Sequence, residues 1–505
     1  MARKVSMLDR LAGAVSPSWA LSREKASIKL SGLRSARAEY DGATTGRRSA
    51  GWKRSLRDAN GELTARVRQV LNASAQDLVR NNPHGARAAG LWADHLVGSG
   101  ITFRVLRDGK FDQALNDVAR QHLDSTACDA EGQNDLYGLQ HLAARSIVVS
   151  GAVIMRRRWR RASDRLPLPF QIQVLEPDYL DPGKDGALPV GHRVAGIEFD
   201  ALGKRKSYWL YSGHPGSRST GSLVSKEVPA GDVVHAYRKD RPEQQHGATW
   251  FTPILLPLND WGDLTDAYRM RQKIAASHTG FVIGEEPVSG SGDTSADEDR
   301  LEAFEPGLIE YLTNPEAQIV FSSPPSVEGI GEFTKVSMRE IAVGMELDTA
   351  MLSGDYSDVS FISGRLGRLA FKRTIEQRQY AIFVRQFGEG VARWLIEALA
   401  MSGENVTGVT VDWFPPPLEM ASPETELPAE RDAIRAGQVN LSDALRSRGI
   451  DPDRHYAERQ ADNEALDAAG IILDSDPRKV TAVGNPVQLI IDASANGAGG
   501  KGGNK

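Results

Sequence analysis

Three carboxylates recur at regular spacing in one segment, where Asp260, Asp263 and Asp266 are each three residues apart. The surrounding apolar pattern predicts a helix, so these carboxylates would share a face and offer hard oxygen ligands to a divalent cation. A metal-dependent nucleic-acid enzyme, such as a nuclease, would use such a site. However, no second set of carboxylates or histidines completes a pair of metals, and the helix dipole also favours acidic side chains near a helix N-terminus. A solvated acidic face is therefore the preferred interpretation, and we predict no metal ligand.

Other signatures of catalysis or cofactor binding are weak in this sequence. Its one cysteine, Cys128, has no nucleophile motif around it, which favours a buried thiol. The sequence contains no Walker A pattern, no His-Glu-x-x-His and no Gly-x-Ser-x-Gly. A Gly-x-Gly-x-x-Gly match at Gly497, Gly499 and Gly502 lies in a low-complexity tail, without the following helix that binds a pyrophosphate. We therefore predict no catalytic residue, no cofactor and no enzymatic activity.

Two basic groups are candidates for contacts to phosphate. The first, "RRRWRR" at 156–161, surrounds Trp159 and could hold nucleic acid through its arginines, although solvated arginines are also common where a strand enters a hairpin. The second group, Arg365, Arg368 and Lys372, lies at i, i+3 and i+7 of a predicted helix. A solvated helix face and a surface near phosphates explain this second group equally well, so both alternatives stay open.

The composition bounds the class of protein. A chain of 505 residues is too long for one ordinary core, so several domains are expected. The net charge of −5 predicts no polyanionic partner by itself, but the N-terminal residues 1–57 are strongly basic and residues 285–305 strongly acidic. A single cysteine excludes an internal disulfide and fits assembly in a reducing cytosol. No apolar run is long enough to predict a membrane span, and the N-terminus is a poor signal peptide.

The first half of the chain predicts helices followed by short strands. Helical signals dominate residues 63–97, with a break at Pro83 and a stop at Gly98. Residues 98–240 contain several short alternating segments, and "SIVVSGAVIMRRRW" at 146–159 predicts one of the strands. This region is therefore expected to be an α+β unit with a mostly antiparallel sheet.

Long helices follow in the second half. The stripe of Leu258, Trp261 and Tyr268 predicts a helix over 254–278 and would be exposed on an isolated protomer, so we expect it to pack between subunits. Residues 334–350 and 365–401 also predict helices. Between them lies "LSGDYSDVSFISGR" at 352–365, a polar loop with two aromatic side chains.

Several motifs together resemble the lambda-like family of tailed-phage portal proteins. They include "YDGATTGRRSAGW" near the N-terminus, "LVRNNPHGARAAGLWADHLVGSGI" from 78 to 101, and "VVHAYRKDRPEQQHGATWFTPIL" before the first long helix. The segment "MREIAVGMELDTAMLSGDYSDVSFISGR" and the C-terminal "VDWFPPPLEMASPETELPAERDAIRAGQVNLSDALRSRGID" match further parts of the family. Each motif is short, but their number and order make the resemblance specific, and it covers roughly residues 40–475.

This resemblance implies an α+β portal fold in a ring oligomer. The expected parts are a basic N-terminal arm (1–60), an α+β wing (61–253), a stem helix (254–279), a small β-containing clip (280–333), a second stem helix (334–351), a tunnel loop (352–365), a long helix with a return to the wing (366–426), a helical C-terminal crown (427–485) and a disordered tail (486–505).

The resemblance also implies a function and partners. A ring of about twelve subunits would surround a channel for double-stranded DNA at one capsid vertex of the virion, assembled in the bacterial cytoplasm. The expected partners are the terminase large subunit, the major capsid protein with its scaffold, and the head–tail completion proteins. The resemblance implies no catalysis, because the packaging motor supplies ATP hydrolysis. A structural ring or adaptor that passes no DNA is the other alternative.

The tunnel loop is expected to project into the channel as a steric valve. Its expected DNA-facing residues are Asp355, Tyr356, Ser357, Asp358, Ser360, Phe361, Ser363 and Arg365, with further phosphate contacts from Arg368 and Lys372. Gly354 and Gly364 would give the loop flexibility, and its aspartates would keep its affinity for phosphates low. The two aromatic side chains would narrow the passage or, alternatively, pack beneath the loop. Phe361 stands where the family usually has a tyrosine, so a hydrogen bond from that hydroxyl is not expected here.

Overall fold

The computed structural model describes residues 51–218, 223–276, 280–283, 318–321, 330–417, 422–448 and 452–473, together with the single positions 25, 26, 29, 450, 476, 478 and 479. Most of the basic arm (1–60), the acidic segment 284–300 and the tail (486–505) lie outside these residues, so the predictions made for them stay predictions. The described part of residues 59–505 groups into one unit.

Helices make up most of the described secondary structure. In chain order they are α1 (Ala59–Glu62), α2 (Ala65–Asn81), α3 (Pro83–Val97), α4 (Gln113–Leu123), α5 (Leu136–Ser150), α6 (Leu255–Ala276), α7 (Ile330–Gly344), α8 (Thr349–Ser353), α9 (Phe361–Arg378), α10 (Glu389–Met401), α11 (Pro423–Arg435), α12 (Leu441–Ser447) and α13 (Pro452–Ala468). A π-helical segment, Gln379–Gly388, joins α9 to α10, so that the chain stays helical from Phe361 to Met401.

The strands form four small sheets in the described residues. They are β1 (Thr102–Arg107), β2 (Lys110–Phe111), β3 (Ala152–Trp159), β4 (Phe170–Leu175), β5 (Gly186–Ala187), β6 (His192–Val194), β7 (Ile197–Phe199), β8 (Arg205–Tyr211), β9 (Ser225–Pro229), β10 (Val233–Tyr237), β11 (Gly280–Ile283), β12 (Gln318–Phe321) and β13 (Val409–Phe414). The sheet orders are β13-β1-β2, β10-β3-β4, β11-β12 and β5-β6-β7-β8-β9, and every strand pair is antiparallel. The α+β prediction is confirmed, with several small sheets in place of one.

The break between α2 and α3 is where the sequence predicts it. Asn82 has an extended backbone, and its side-chain oxygen accepts hydrogen bonds from the backbone N–H groups of His84 (3.0 Å) and Gly85 (3.2 Å). Pro83 occupies the first helical position, where a missing N–H costs nothing. Gly98, at a φ of 56°, ends α3 as expected.

The prediction of a strand over 146–159 is wrong for its first part and correct for its second. Residues up to Ser150 belong to α5, and the strand β3 begins only at Ala152, after Gly151 turns the chain at a φ of 78°. Ile147 and Val148 are fully buried on α5. Their β-branched side chains favour strands in isolation, but packing of this apolar face against α3 outweighs that weak preference.

One large core joins the region predicted as the wing (61–253) to the long helices. The Trp92 ring on α3 lies edge-on to Trp250 at 4.6 Å and to Phe371 of α9 at 5.6 Å between ring centroids. The same core contains Leu258 of α6 and Ile341 of α7. The expected stem helices are therefore anchored in the wing through their own buried side chains.

The second predicted stem helix is interrupted. Its prediction ran to residue 350, but α7 ends at Gly344 and the short α8 begins only at Thr349. Trp92 donates a hydrogen bond from Nε1 to the Met345 carbonyl at 2.9 Å, which satisfies an acceptor that the helix end leaves free. A distant tryptophan thus stabilises this break, which local sequence preferences do not indicate.

Candidate functional site

The candidate loop is shorter than predicted, because helices occupy both of its ends. Gly354, at a φ of 76°, caps α8, and α9 begins at Phe361, so that residues 354–360 alone connect the helices. Ser360 and Ser363 form a capping box in which each side chain accepts a hydrogen bond from the backbone N–H of the other (3.2 and 3.0 Å). The sequence predicts that the long helix starts at Arg365, but the helix begins four residues earlier, at Phe361. The spacing of the two serines is the signal that was missed.

Hydrogen bonds within the loop organise it. The Asp355 N–H donates to Ser353 Oγ (3.1 Å), and the Ser357 N–H donates to an Asp355 carboxylate oxygen (3.0 Å). Hydrogen bonds from the Ser357 side chain and backbone lower the pKa of Asp355, so this carboxylate stays charged to lower pH than usual. Gly364 lies inside α9 and gives the loop no flexibility, which corrects the expectation. Gly354 is the glycine whose left-handed conformation the turn uses.

Two contacts attach the loop region to neighbouring helices. Lys335 of α7 forms an ion pair with Asp358 at 2.9 Å, and this hydrogen bond raises the pKa of Lys335. Both side chains are exposed, so the pair contributes little to stability. Arg87 of α3 donates from Nε to the Met351 carbonyl at 2.7 Å. The loop is thereby positioned relative to both α3 and α7.

The aromatic side chains of this region point away from their own protomer. Tyr356 is 57% exposed and Phe361 67% exposed. The alternative that they pack beneath the loop is therefore wrong for an isolated protomer. Asp355 and Asp358 are also exposed, so the loop presents aromatic rings and carboxylates together.

The basic face on α9 is partly neutralised. Arg365 lies 3.9 Å from Glu426 of α11, and Lys372 lies 3.7 Å from Glu376. Arg368 is half-buried and close enough to His95 for its charge to contribute to lowering the pKa of that histidine, after burial as the main cause. The two ion pairs weaken the case for phosphate contacts from Arg365 and Lys372.

Part of the apolar stripe on α6 that was predicted to pack between subunits is buried within its own protomer. Leu258 is fully buried in the core of its own chain, so it cannot pack against a neighbour and that prediction is wrong. Trp261 is half-buried, with its ring edge-on to His84 at 6.4 Å between centroids. Tyr268 is also half-buried. A 3–4 spacing identifies an apolar helix face, but it does not say whether the core or a partner covers that face.

Different apolar side chains form the exposed stripes. On α9, Ile362, Leu366 and Leu369 follow the i, i+4, i+7 spacing and are 71%, 64% and 52% exposed. On α7 the exposed apolar side chains are Phe333, Val336 and Val343. Neither stripe was predicted from the sequence, although the spacing of the α7 stripe is visible in "FTKVSMREIAVG".

The basic group at 156–161 is largely engaged within the protein. Arg157 is buried, pairs with Asp232 at 2.5 Å and with Glu397, and lies over the Trp159 ring at 4.1 Å. Arg158 donates to Gln173 at 2.8 Å and Arg160 to Gln171 at 2.6 Å. Trp159 therefore has a cation on one face already, which argues against stacking of a nucleic-acid base on that face.

The structure gives no support to a nuclease-like metal site. Asp260, Asp263 and Asp266 are exposed, and Asp266 pairs with Arg269 at 2.7 Å. Among the described residues, the one group with ligand atoms within 4.8 Å of one another is Glu176, Asp178 and His214.

That group is better explained as a histidine–carboxylate pair. His214 Nδ1 accepts the Gly216 N–H at 3.1 Å, so Nε2 carries the proton and faces Glu176 at 3.0 Å. A protonated Nε2 has no lone pair for a metal. Cys128 is fully buried, and burial raises its pKa to about 12, so it is not a nucleophile at neutral pH.

None of the helices in the described ranges combines the length and the hydropathy of a membrane span.

Comparison with known families decides the identity. The profile of the family described as "Phage portal protein, lambda family" matches residues 45–379. The chain belongs to this family. It is therefore a phage portal protein, a structural component of the virion, and the resemblance recognised in the sequence is confirmed.

Individual relatives of this portal protein are distant. The probable portal protein of Halomonas phage phiHAP-1 is 24% identical, and the match covers 85% of each chain. Portal protein B of Escherichia phage lambda is 20% identical over 65% of this chain and 68% of its own length. Among solved structures, a chain from the neck of an empty GTA particle is 16% identical, with a TM-score of 0.44, and the match covers 75% of this chain and 94% of that one.

Proposed function

We propose that this portal protein assembles into a ring of about twelve copies whose channel passes double-stranded DNA during packaging and ejection. The ring occupies one capsid vertex, and assembly takes place in the bacterial cytoplasm. Its partners are the terminase large subunit, the major capsid protein with its scaffold, and the head–tail completion proteins. The boundaries of wing, stem, clip and crown given above remain part of this proposal.

The exposed apolar stripes on α7 and α9 carry the ring assignment. Soluble monomers rarely expose contiguous apolar faces of this kind, and a neighbouring copy would bury them. Head-to-tail contacts around a closed ring place one face of each subunit against a different face of the next. The contacts between subunits therefore come from Ile362, Leu366 and Leu369 on one helix and Phe333, Val336 and Val343 on another.

The loop at 354–360 acts as a steric valve in the channel. Tyr356 in the loop and Phe361 at the start of α9 supply bulk. The carboxylate of Asp355 repels phosphates and so keeps DNA from being held during translocation, while the ion pair with Lys335 partly neutralises Asp358. The internal hydrogen bonds of the loop and its ion pair with Lys335 fix its base while leaving the aromatic side chains outside the protomer.

Replacement of the loop tests the valve. A Gly/Ser linker at 355–359 combined with Phe361→Ser removes both aromatic side chains and both aspartates but keeps the two serines of the capping box that begins α9. We expect normal rings in particle images, and capsids that lose DNA or fail to complete packaging, measured as genome length retained per particle. A control is a shorter Gly/Ser replacement of the exposed segment 201–203, which should leave packaging unchanged.

Two outcomes would count against these proposals separately. Stable, full-length genomes in capsids with the linker would remove the valve. Failure of the wild-type chain to form a ring with a duplex-sized opening would remove the channel, whatever the loop does.

A further inference from the structure

A large basic cavity lies between the wing and the long helix, away from the candidate loop. It has a volume of about 880 Å³ and is lined by β8 and β10 on one side and by the π-helical segment and α10 on the other. Six lysine or arginine side chains line it, against a single carboxylate, that of Glu389, among the described residues. Neither the ring nor the valve explains this imbalance.

The carboxylate is already engaged. Glu389 pairs with Arg385 at 2.5 Å, and the cavity residue Lys206 pairs with Glu198 at 2.8 Å. The other four cations, Lys204, Arg205, Lys239 and Arg393, have no ion pair within the described part of the chain. The positive charge of the cavity is therefore largely uncompensated by the protein.

A guanidinium and an imidazole form the inner wall. Arg205 donates to Tyr237 Oη at 2.8 Å and to Gln245 Oε1 at 3.3 Å, and both of these acceptors are neutral. His235 is only 5% exposed, and neither of its ring nitrogens has a hydrogen-bond partner in the described residues. Buried polar groups are nearly always paired, so the wall of this cavity retains unused hydrogen-bonding capacity.

We propose that this cavity binds a phosphate group, with Arg205 and His235 at its inner wall and Lys204, Lys239 and Arg393 around its mouth. Phosphate provides several acceptor oxygens and up to two negative charges, which suits an arginine fork together with mobile ammonium groups. The volume exceeds that of one phosphate, so it also admits a phosphate ester. Two sources share this chemistry, namely free phosphate and the sugar–phosphate backbone of nucleic acid.

Titration calorimetry on the purified full-length chain tests the site. Inorganic phosphate is titrated at constant ionic strength, with chloride as the reference anion, and a short DNA duplex is titrated separately. We expect phosphate binding that the double variant Lys204→Ala/Lys239→Ala weakens by about tenfold or more, because two charge-assisted contacts are lost. The control Lys110→Ala/Lys226→Ala removes the same charge from exposed positions outside the cavity lining and should bind like the wild type.

The phosphate and duplex titrations together distinguish free phosphate from a nucleic-acid backbone as the ligand. Binding of phosphate that the duplex displaces assigns the site to a nucleic-acid backbone, and binding that the duplex does not disturb assigns it to the free anion. Arg393→Gln should reproduce the weakening, and since Arg393 is exposed, it leaves the inner wall intact.

Three results would overturn the proposal. These are absence of phosphate binding by the wild-type chain, equal affinities in the cavity and control variants, and tighter binding of an acidic peptide than of phosphate. The last result would make the cavity a docking site for a protein partner. Circular dichroism of each variant confirms that the comparison is made on folded chains.

Discussion

The core around Trp92 and the outer face of α9 use large apolar side chains in opposite ways. Trp92 is 1% exposed, is surrounded by rings from the wing and the long helix, and has its indole N–H paired. On α9, only a few residues from the buried Phe371, Leu366 and Leu369 are more than half exposed. The same helix thus has one face that completes the protomer and another that the protomer leaves uncovered.

This difference separates folding from assembly. Side chains of the first kind stabilise the chain by themselves, since their apolar area is removed from water within one protomer. Side chains of the second kind gain that stabilisation only when a neighbour covers them. Substitutions in the two regions should therefore fail in different ways.

The largest effect is expected in the core. Trp92→Ala removes a fully buried ring and leaves the Met345 carbonyl without its donor, so the free energy of unfolding should fall by about 3–5 kcal/mol. Chemical denaturation measures this loss. If the variant retained wild-type stability, Trp92 would not join the wing to the base of α9.

The next effect concerns assembly alone. Leu366→Asp/Leu369→Asp places carboxylates on the exposed face of α9, so we expect folded protomers that no longer form rings, measured by light scattering and particle imaging. Leu202→Asp is the matched control, because Leu202 is 94% exposed at a turn of the wing. Normal rings from the α9 variant would mean that this face contacts no neighbour.

The pH dependence of stability tests the contribution of one buried side chain, that of His122. His122 is fully buried, and burial lowers its pKa to about 4 from the ordinary value of 6.5. Between pH 6.5 and 4, His122 therefore binds a proton in the unfolded chain but stays neutral in the folded chain. The contribution of neutral His122 to the free energy of unfolding is complete above pH 6.5. It falls by up to about 3 kcal/mol as the pH approaches 4.

The variant His122→Leu isolates that contribution. Burial also lowers the pKa values of His235 and His246, so the variant keeps part of the acid sensitivity. We expect its unfolding free energy to decline less than that of the wild type between pH 6.5 and 4. Parallel curves for the two proteins would exclude His122 as a cause.

The smallest effect is expected at the start of α9. Ser360→Ala removes the capping acceptor at an exposed helix end and should cost about 1 kcal/mol locally, with little change in global stability. Hydrogen exchange of the amides at 361–364 should therefore accelerate, while the core around Trp92 stays protected. Ser360→Asn keeps an acceptor and should restore protection; if it exchanges like the alanine variant, the capping box is not what fixes the start of the helix.

Much of the local structure follows from the sequence alone. Asn82 followed by Pro83 predicts where one helix ends and the next begins, since an Asn cap and a proline at the first helical position favour that break in any context. The apolar spacing from Leu258 to Tyr268 predicts α6 as a helix. The motifs also predict the portal family, and the family profile confirms it although the relative from Halomonas phage phiHAP-1 is only 24% identical.

Tertiary structure alone decides what covers each apolar face. Leu258 of α6 and Leu366 of α9 are both large apolar side chains on long helices, yet Leu258 is buried in the core of its own chain and Leu366 is exposed, because other elements of the protomer pack only against the first. Likewise, the β-branched run at Ile147 and Val148 becomes helix through packing against α3. The basic cavity arises because residues nearly two hundred positions apart, such as Arg205 and Arg393, line the same space. Such placements depend on long-range packing, and local sequence patterns do not indicate which distant residues will meet.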